Sequence, residues 1–590
     1  MSTVSGEGAF PPVEVHVERV RDGLILRNAI ALREREETLP ERLAYWAGVA
    51  PDRVFLSEVV EGVRKTLTYA EGFAQARGRA ACLLAYGLDA EHPLMIVAGN
   101  GIEHALWMLG ATLAGIPVSI VSPAYAMPAA APYAKLAHLA ALMTPGLVLA
   151  DGVSADALQT LSGLQVERLD EFAPASESLP NGMLPLIDGA TVAKLLFTSG
   201  STGTPKAVPN TQRMMVSNMQ ALERVWPFLS ERPPVLVDWL PWNHTFGGNC
   251  CFNIALYFGG TLHIDHGKPV QALIGRTVTA LRTIAPTAYF NVPAGYAALL
   301  PWLEEDASLA ETFFSRLDML FNAAATLPES TRSRLEAAAR RAIGRVPPIL
   351  GGWGSTETAP FSTVIYFPTS HAANLGVPLP GTEIKMVDSD GRKELRVRGP
   401  NVMPGYWRQP DANTAAFDAD GFYRIGDAAV FAENGKPESG FVFDGRIAEN
   451  FKLSSGTWVN VSALRLAVTA ATDPVVADVV VAGEGRPEIG ILVFPNLEAC
   501  RKLAADPAGD VSATLSDPAV QEVLYRGIAR YNASQVGPST QVRFVHVLPD
   551  APSAEAGEIT DKGYLNQGTV LRHRAEAVEV LFRSGHLPLS

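Results

Sequence analysis

Apolar positions along the chain fall into two alternating rhythms. Stretches such as Leu39–Ala50 (LPERLAYWAGVA) and Tyr69–Leu88 (YAEGFAQARGRAACLLAYGL) carry helical patterns. Between such stretches lie short continuous apolar runs, LMIVAG, GLVLAD, PVLVDWLP, GTLHI and PTAYFNVP, which predict buried strands. This alternation predicts a layered α/β architecture. From about Gly381 the texture changes, because GTEIKMVDSDGRKELRVRGPNVMPGYW reads as strands joined by turns, with Asp388–Gly391 a hairpin signal. We therefore expect a large N-terminal domain of α/β subdomains over residues 1–446, with a β-rich subdomain at about 381–446. A small α/β C-terminal domain should occupy 447–590.

The run Ala105–Val121 has no charge and approaches membrane-spanning length, but Gly115 and Pro117 split it into a helix-like and a strand-like part. It is expected to be buried core rather than a membrane span. At 590 residues the chain is too long for one core, and 47% hydrophobic with 18% charged residues is a globular composition. A net charge of -13 without a basic cluster argues against nucleic-acid binding, while leaving room for a local positive site that takes a polyanion. Four cysteines without metal-ligand or disulfide spacing, and an N-terminus without a signal pattern, point to the cytoplasm.

Chemistry concentrates in four segments. In LLFTSGSTGTPKAVPNT (Leu195–Thr211), a buried strand over Val192–Phe197 runs into Thr198, Ser199, Gly200, Ser201, Thr202, Gly203 and Lys206. Hydroxyls, glycine N–H groups and one movable ammonium form a phosphate-binding inventory. It is not a Walker loop, since Thr204 and Pro205 separate Gly203 from Lys206, and Ala207 follows where a hydroxyl belongs. In GGWGSTETAP (Gly351–Pro360), Trp353 and Gly354 precede Ser355, Thr356 and Glu357. A ring can stack on a base, a hydroxyl can bond a phosphate, and a carboxylate can hold Mg²⁺ between phosphates. YRIGDAA supplies Asp427, suited to accept from two vicinal ribose hydroxyls, and FDGRIAENFKLSSG supplies Arg446 and Lys452. Each residue alone fits a blander role as core aromatic, turn aspartate or surface charge.

Together, in this order, TSGSTGTPK, GWGSTE, ELRVRGPNVMPGYW and YRIGD resemble the motifs of the adenylate-forming superfamily of acyl-CoA synthetases, luciferases and peptide-synthetase adenylation domains. With LTYAE near Leu67 and the region Gly99–Tyr125, the resemblance covers nearly the whole chain. DWLPWNHTFGGN (Asp238–Asn249) and GEITDKGYLNQ most resemble bacterial feruloyl-CoA synthetases. The resemblance implies ATP, Mg²⁺ and coenzyme A as cofactors, with Glu357 beside the metal, an acyl-adenylate intermediate, and a mobile C-terminal domain that alternates between two poses. It implies a small-molecule carboxylic acid as partner, and we expect a monomer or homodimer.

Two departures stand out. Many relatives supply a lysine to the α-phosphate from a terminal P-K-T-x-x-G-K segment, whereas Glu558 falls there and Lys562 is the next lysine. We expect Lys562 to take that role and Lys452 to act in the thioester-forming pose. Ala448 stands where relatives place a polar hinge residue. The acid pocket is expected from His244, Phe246, Tyr289, Asn291 and Ala324, the last within Asn322–Leu327. Polar groups among these suit a phenolic acid such as a hydroxycinnamate. Medium or long-chain fatty acids, loading of a separate carrier protein, and a non-catalytic acid sensor remain as alternatives.

Overall fold

This computed structural model describes residues 10–172, 184–199, 205–369, 371, 373–389, 391–553, 556–559 and 565–584. Helices begin where the local chemistry caps them. At Thr38 and Thr68, reciprocal bonds with Glu41 and Glu71 close capping boxes, so the helices Leu39–Val49 and Tyr69–Ala85 start on the residues that satisfy their first N–H groups. The uncharged run resolves as expected, into a helix Ile102–Leu113 and a strand Val118–Val121 with Gly115 at φ +67° between them. No helix among the described residues is long and apolar enough to cross a membrane.

Three sheets build the scaffold under the site. A six-stranded sheet runs in the order Pro205–Thr211, Val192–Ser199, Val118–Val121, Leu94–Val97, Leu147–Ala150, Val166–Arg168, parallel except for its first strand. A five-stranded sheet orders Ala288–Asn291, Met319–Asn322, Ile349–Gly354, Phe361–Val364 and Val377–Pro378. The third, Val235–Asp238, Thr261–Ile264, Val54–Val60 and Val63–Thr68, is parallel across its first three strands. Such parallel strands are buried by helices on both faces, which is why they read as continuous apolar runs.

The β-rich subdomain is larger than its sequence signature. Its antiparallel sheet orders Val15–Val20, Gly23–Asn28, Glu383–Ser389, Arg392–Arg398, Tyr423–Glu433 and Lys436–Arg446. The hairpin Val15–Asn28 thus joins strands more than three hundred residues later, with Arg27 opposite Glu383, 356 positions on. The largest buried cluster draws on residues from Val15 to Phe441, while Phe451–Val545 and Val480–Leu581 contribute separate clusters around the sheet Val476–Ala482, Ile489–Pro495, Val542–Val547. The chain is thus a mixed α/β protein with a large N-terminal part and a small C-terminal part.

Candidate active site

The strand Val192–Ser199 turns back antiparallel on Pro205–Thr211, pairing Thr198 with Lys206. Gly200, Ser201, Thr202 and Gly203, and the side chain of Ser199, lie outside the described residues. The stem is anchored: Ala207 N–H donates to Gln409 Oε1 at 3.2 Å, and Trp407 N–H donates to Ala207 O at 2.9 Å. That anchoring brings Tyr406 under Lys206, whose Nζ sits 4.6 Å from the ring centroid, a cation–π contact.

Tyr406 is the residue that sequence reasoning missed. Its hydroxyl donates to Glu357 Oε1 at 3.0 Å and lies 3.3 Å from Tyr423 Oη. Burial, then the Glu357 carboxylate, raises the Tyr406 phenol far above its ordinary range, so it acts as a fixed neutral donor. The aromatic residue directly after MPG was the available signal. Glu357 is buried on the short turn Thr356–Thr358, and its carbonyl accepts Met403 N–H at 2.9 Å. Gly354 makes this turn possible: at φ +157°, an added Cβ would stand 1.9 Å from Pro360 O. Thr356 is buried beside Glu357, and Ser355 Oγ is buried with no hydrogen-bond partner.

Trp353, expected as a stacking ring, also makes a polar contact. Its indole N–H donates to Asp427 Oδ2 at 2.8 Å, which orients the carboxylate. Asp427 Oδ1 is buried, makes no hydrogen bond, and stands 3.6 Å from Arg446 Nε. Burial raises the Asp427 carboxyl above the usual aspartate value, with Arg446 and Trp353 opposing. Asp427 and Arg446 face each other across paired strands, and both feel the charge of Glu357. Lys206, Tyr406 and Glu357 therefore form one run of contacts and Trp353, Asp427 and Arg446 another, with the charge of Glu357 reaching Asp427 and Arg446, and the six residues come from five stretches of the sequence.

On the acid side, Asn100 braces the approach to His244: its Nδ2 donates to Leu240 O at 2.9 Å, and its Oδ1 accepts Trp242 N–H at 3.0 Å. The half-buried His244 precedes a π-helical turn, Phe246–Cys251, a geometry frequent at functional sites. Phe246 packs edge-on to Phe290 with centroids 6.3 Å apart and lies 5.9 Å from Phe321. Ala324 is exposed at φ +75°, a strained conformation for a residue with a Cβ.

Tyr289 and Asn291 face away from the Phe246 side of their strand. Successive strand residues face opposite sides, so Phe290 meets Phe246 while Tyr289 packs with Tyr296 and Phe313 in another core. Asn291 is spent internally, donating to Tyr289 Oη at 3.2 Å and accepting Val292 N–H at 2.9 Å.

In the C-terminal part, Lys452 is exposed, with Nζ 4.7 Å from the Trp458 ring. Lys562 lies outside the described residues. Glu558 is buried, paired to Arg574 through Oε1 and Oε2, each at 2.8 Å, and accepts Ser553 N–H at 2.8 Å. It is an internal anchor rather than a substitute for a catalytic lysine. The bridge Ile559–Leu565 closes just beyond it.

The AMP-binding enzyme family model matches residues 43–407, and the AMP-binding enzyme C-terminal domain model matches 449–585. Among curated relatives, long-chain-fatty-acid–CoA ligase FadD15 of Mycobacterium bovis is 24% identical over 593 residues, covering 90% of this chain and 95% of its own. A long-chain-fatty-acid–CoA ligase of Salmonella typhimurium is 31% identical over 262 residues, 42% of this chain and 44% of its own. ATP-bound MatB from Rhodopseudomonas palustris superposes with a TM-score of 0.69 at 21% identity, covering 92% of this chain and 100% of its own. The AMP complex of O-succinylbenzoate coenzyme A synthetase (MenE) from Bacillus subtilis does so at 0.68 and 18%, covering 90% and 97%. At these identities the structural likeness speaks for the fold, and the family match extends it: the chain belongs to the AMP-binding enzyme family.

Proposed function

We propose that the protein is an AMP-forming acid:CoA ligase acting on a ring-bearing carboxylic acid of the hydroxycinnamate kind. The observation that carries the nucleotide site is the buried Asp427 Oδ1, which makes no hydrogen bond and faces Arg446 at 3.6 Å, an acceptor prepared for a ribose hydroxyl. The donor set also fits Mg²⁺ held chiefly by phosphates, as Glu357 offers one carboxylate, while no group of three or more His, Cys, Asp or Glu side chains forms a cage among the described residues. When bound, Mg²⁺ neutralises phosphate charge.

A carboxylate has no leaving group that a thiol can displace. Its oxygen attacks the α-phosphorus of ATP, the bond to the β-phosphate breaks, and pyrophosphate leaves. CoA thiolate then attacks the acyl carbon and AMP departs with the electron pair. In the first step Lys206 offsets phosphate charge, Asp427 and Arg446 hold the ribose, and Lys562 approaches the α-phosphate from the C-terminal domain, residues 447–590. In the second, that domain turns near Ile447 and presents Lys452.

The rings of Phe246, Phe290 and Phe321 pack against one another, with Phe246 two residues after His244, and an aromatic cluster there supports a ring-bearing acid. A second reading, a medium or long-chain fatty acid, is supported by the names of the curated relatives. Mass spectrometry of purified enzyme with ATP, Mg²⁺, CoA and a panel of cinnamic, benzoic and straight-chain acids separates the two. Hydroxycinnamoyl-CoA supports the first, fatty acyl-CoA replaces it with the second, and acyl-AMP without thioester points to a carrier protein as acceptor.

A further inference from the structure

Lys194 lies in the strand that leads to the phosphate loop, yet its side chain points away from solvent. It is 2% exposed, and its Nζ donates to Gly248 O at 2.6 Å and sits 5.5 Å from the Phe252 ring centroid. Among the described residues no carboxylate pairs with it, and burial alone lowers the ammonium to about 7. A lysine in such a place costs stability compared with a leucine, so its presence there calls for a task.

Its ladder partner points the same way. Asn210, directly opposite Lys194 on the returning strand and fully buried, accepts a hydrogen bond from Asn249 Nδ2, which also reaches Thr245 Oγ1 at 3.1 Å. Two cross-strand neighbours thus hold two consecutive residues, Gly248 and Asn249, of the π-helical turn Phe246–Cys251. In the sequence Gly200–Thr204 joins the two strands that carry them, and the turn they hold begins with Phe246, two residues after His244.

We propose that Lys194 and Asn210 are positioning residues that tie the acid-side π-helical turn to the stem of the phosphate hairpin, so that acid binding and triphosphate binding strengthen each other. This rests on the ligase reading for the identity of the two ligands, but the mechanical tie does not. Because coupling is reciprocal, acid should tighten nucleotide binding by the same factor by which nucleotide tightens acid.

The test measures binding of α,β-methylene-ATP with Mg²⁺, by calorimetry, with and without the acid that the wild-type enzyme turns over best. The wild type should show coupling of about tenfold, within the usual range for linked sites. Lys194→Met should reduce it below about twofold, each ligand alone binding within about threefold of wild type. Wild-type coupling near unity, or full coupling in Lys194→Met, overturns the proposal. Should Lys194→Met not fold, Asn210→Leu, which removes only a neutral hydrogen bond, decides on the same criterion. If the wild type turns over no acid in the panel, the ligase reading fails, and hydrogen exchange judges the tie. Faster exchange across 246–252 in the variant, with 94–97 unchanged, supports it, and unchanged exchange across 246–252 overturns it.

Discussion

Tyr406 donates its hydroxyl to Glu357 at 3.0 Å while its ring lies 4.6 Å from Lys206 Nζ, so one side chain holds both the carboxylate and the ammonium of the candidate phosphate site. Tyr406→Phe keeps the ring and loses the hydrogen bond that aims Glu357. Acid-dependent ATP–pyrophosphate exchange should fall about tenfold, a typical cost of one charge-assisted hydrogen bond, and require more Mg²⁺. Tyr406→Leu also removes the ring and should fall further. An unaltered Mg²⁺ titration in the phenylalanine variant would contradict this role for Tyr406.

Asp427 should give ATP binding an acid limb. Burial raises its carboxyl, so as pH falls it gains a proton sooner than an ordinary aspartate and stops accepting from two hydroxyls. The KM for ATP should therefore rise on acidification above the usual aspartate range. Asp427→Asn should show a high KM, weakened by about 2 kcal/mol, with that limb absent. Steady-state kinetics across the acid range checks both, and an identical limb in the variant would exclude Asp427 as its source.

Glu558 should make the C-terminal part acid-sensitive. Burial pushes its carboxyl up, but hydrogen bonds from Arg574 and Ser553 and the Arg574 charge outweigh it, holding the folded pKa below the ordinary glutamate value of 4.5. A lowered folded pKa contributes stability that is complete above the unfolded value and is lost as pH falls through the folded one. Glu558→Gln should lose about 3 kcal/mol at neutral pH, because Arg574 is left without its charge partner, and should lack that portion of the acid dependence. Denaturant unfolding followed between neutral pH and pH 3 reads both.

Gly354→Ala should damage the site without touching a ligand. The added methyl meets Pro360 O at 1.9 Å in a backbone region that disfavours side chains, so the Thr356–Thr358 turn must move. Expected is a loss of at least about 2 kcal/mol of stability together with most of the exchange activity. Wild-type melting and activity would mean that the turn tolerates the change.

Lys206, Glu357, Asp427 and Arg446 were legible as candidates because each sits in a short motif whose residue types state a chemistry. Tyr406 was not, since its importance lies in reaching two segments that the sequence separates from it by 49 and 200 positions. That Tyr289 and Asn291 lie on the opposite face of their strand from Phe290 was not legible, because a fully buried strand is apolar on both sides and gives no phase. Glu558 looked like a replaced lysine until Arg574, sixteen residues on, was seen to claim it. The narrower likeness to feruloyl-CoA synthetases rested on two short segments, Asp238–Asn249 and the GEITDKGYLNQ stretch, whereas the relatives FadD15 and the Salmonella typhimurium enzyme carry long-chain ligase names.

The Val15–Asn28 hairpin sets a waiting time. Its edge partner, Glu383–Ser389, leaves the ribosome only after some 355 further residues, and at about 5–20 residues per second that is on the order of twenty seconds to a minute. Throughout that interval an isolated two-stranded hairpin, marginal by itself, presents an unpaired edge to any chain nearby. Nascent chains stalled before residue 383 should therefore be more prone to aggregate or recruit chaperones than chains stalled after 398, whichever acid the finished enzyme takes.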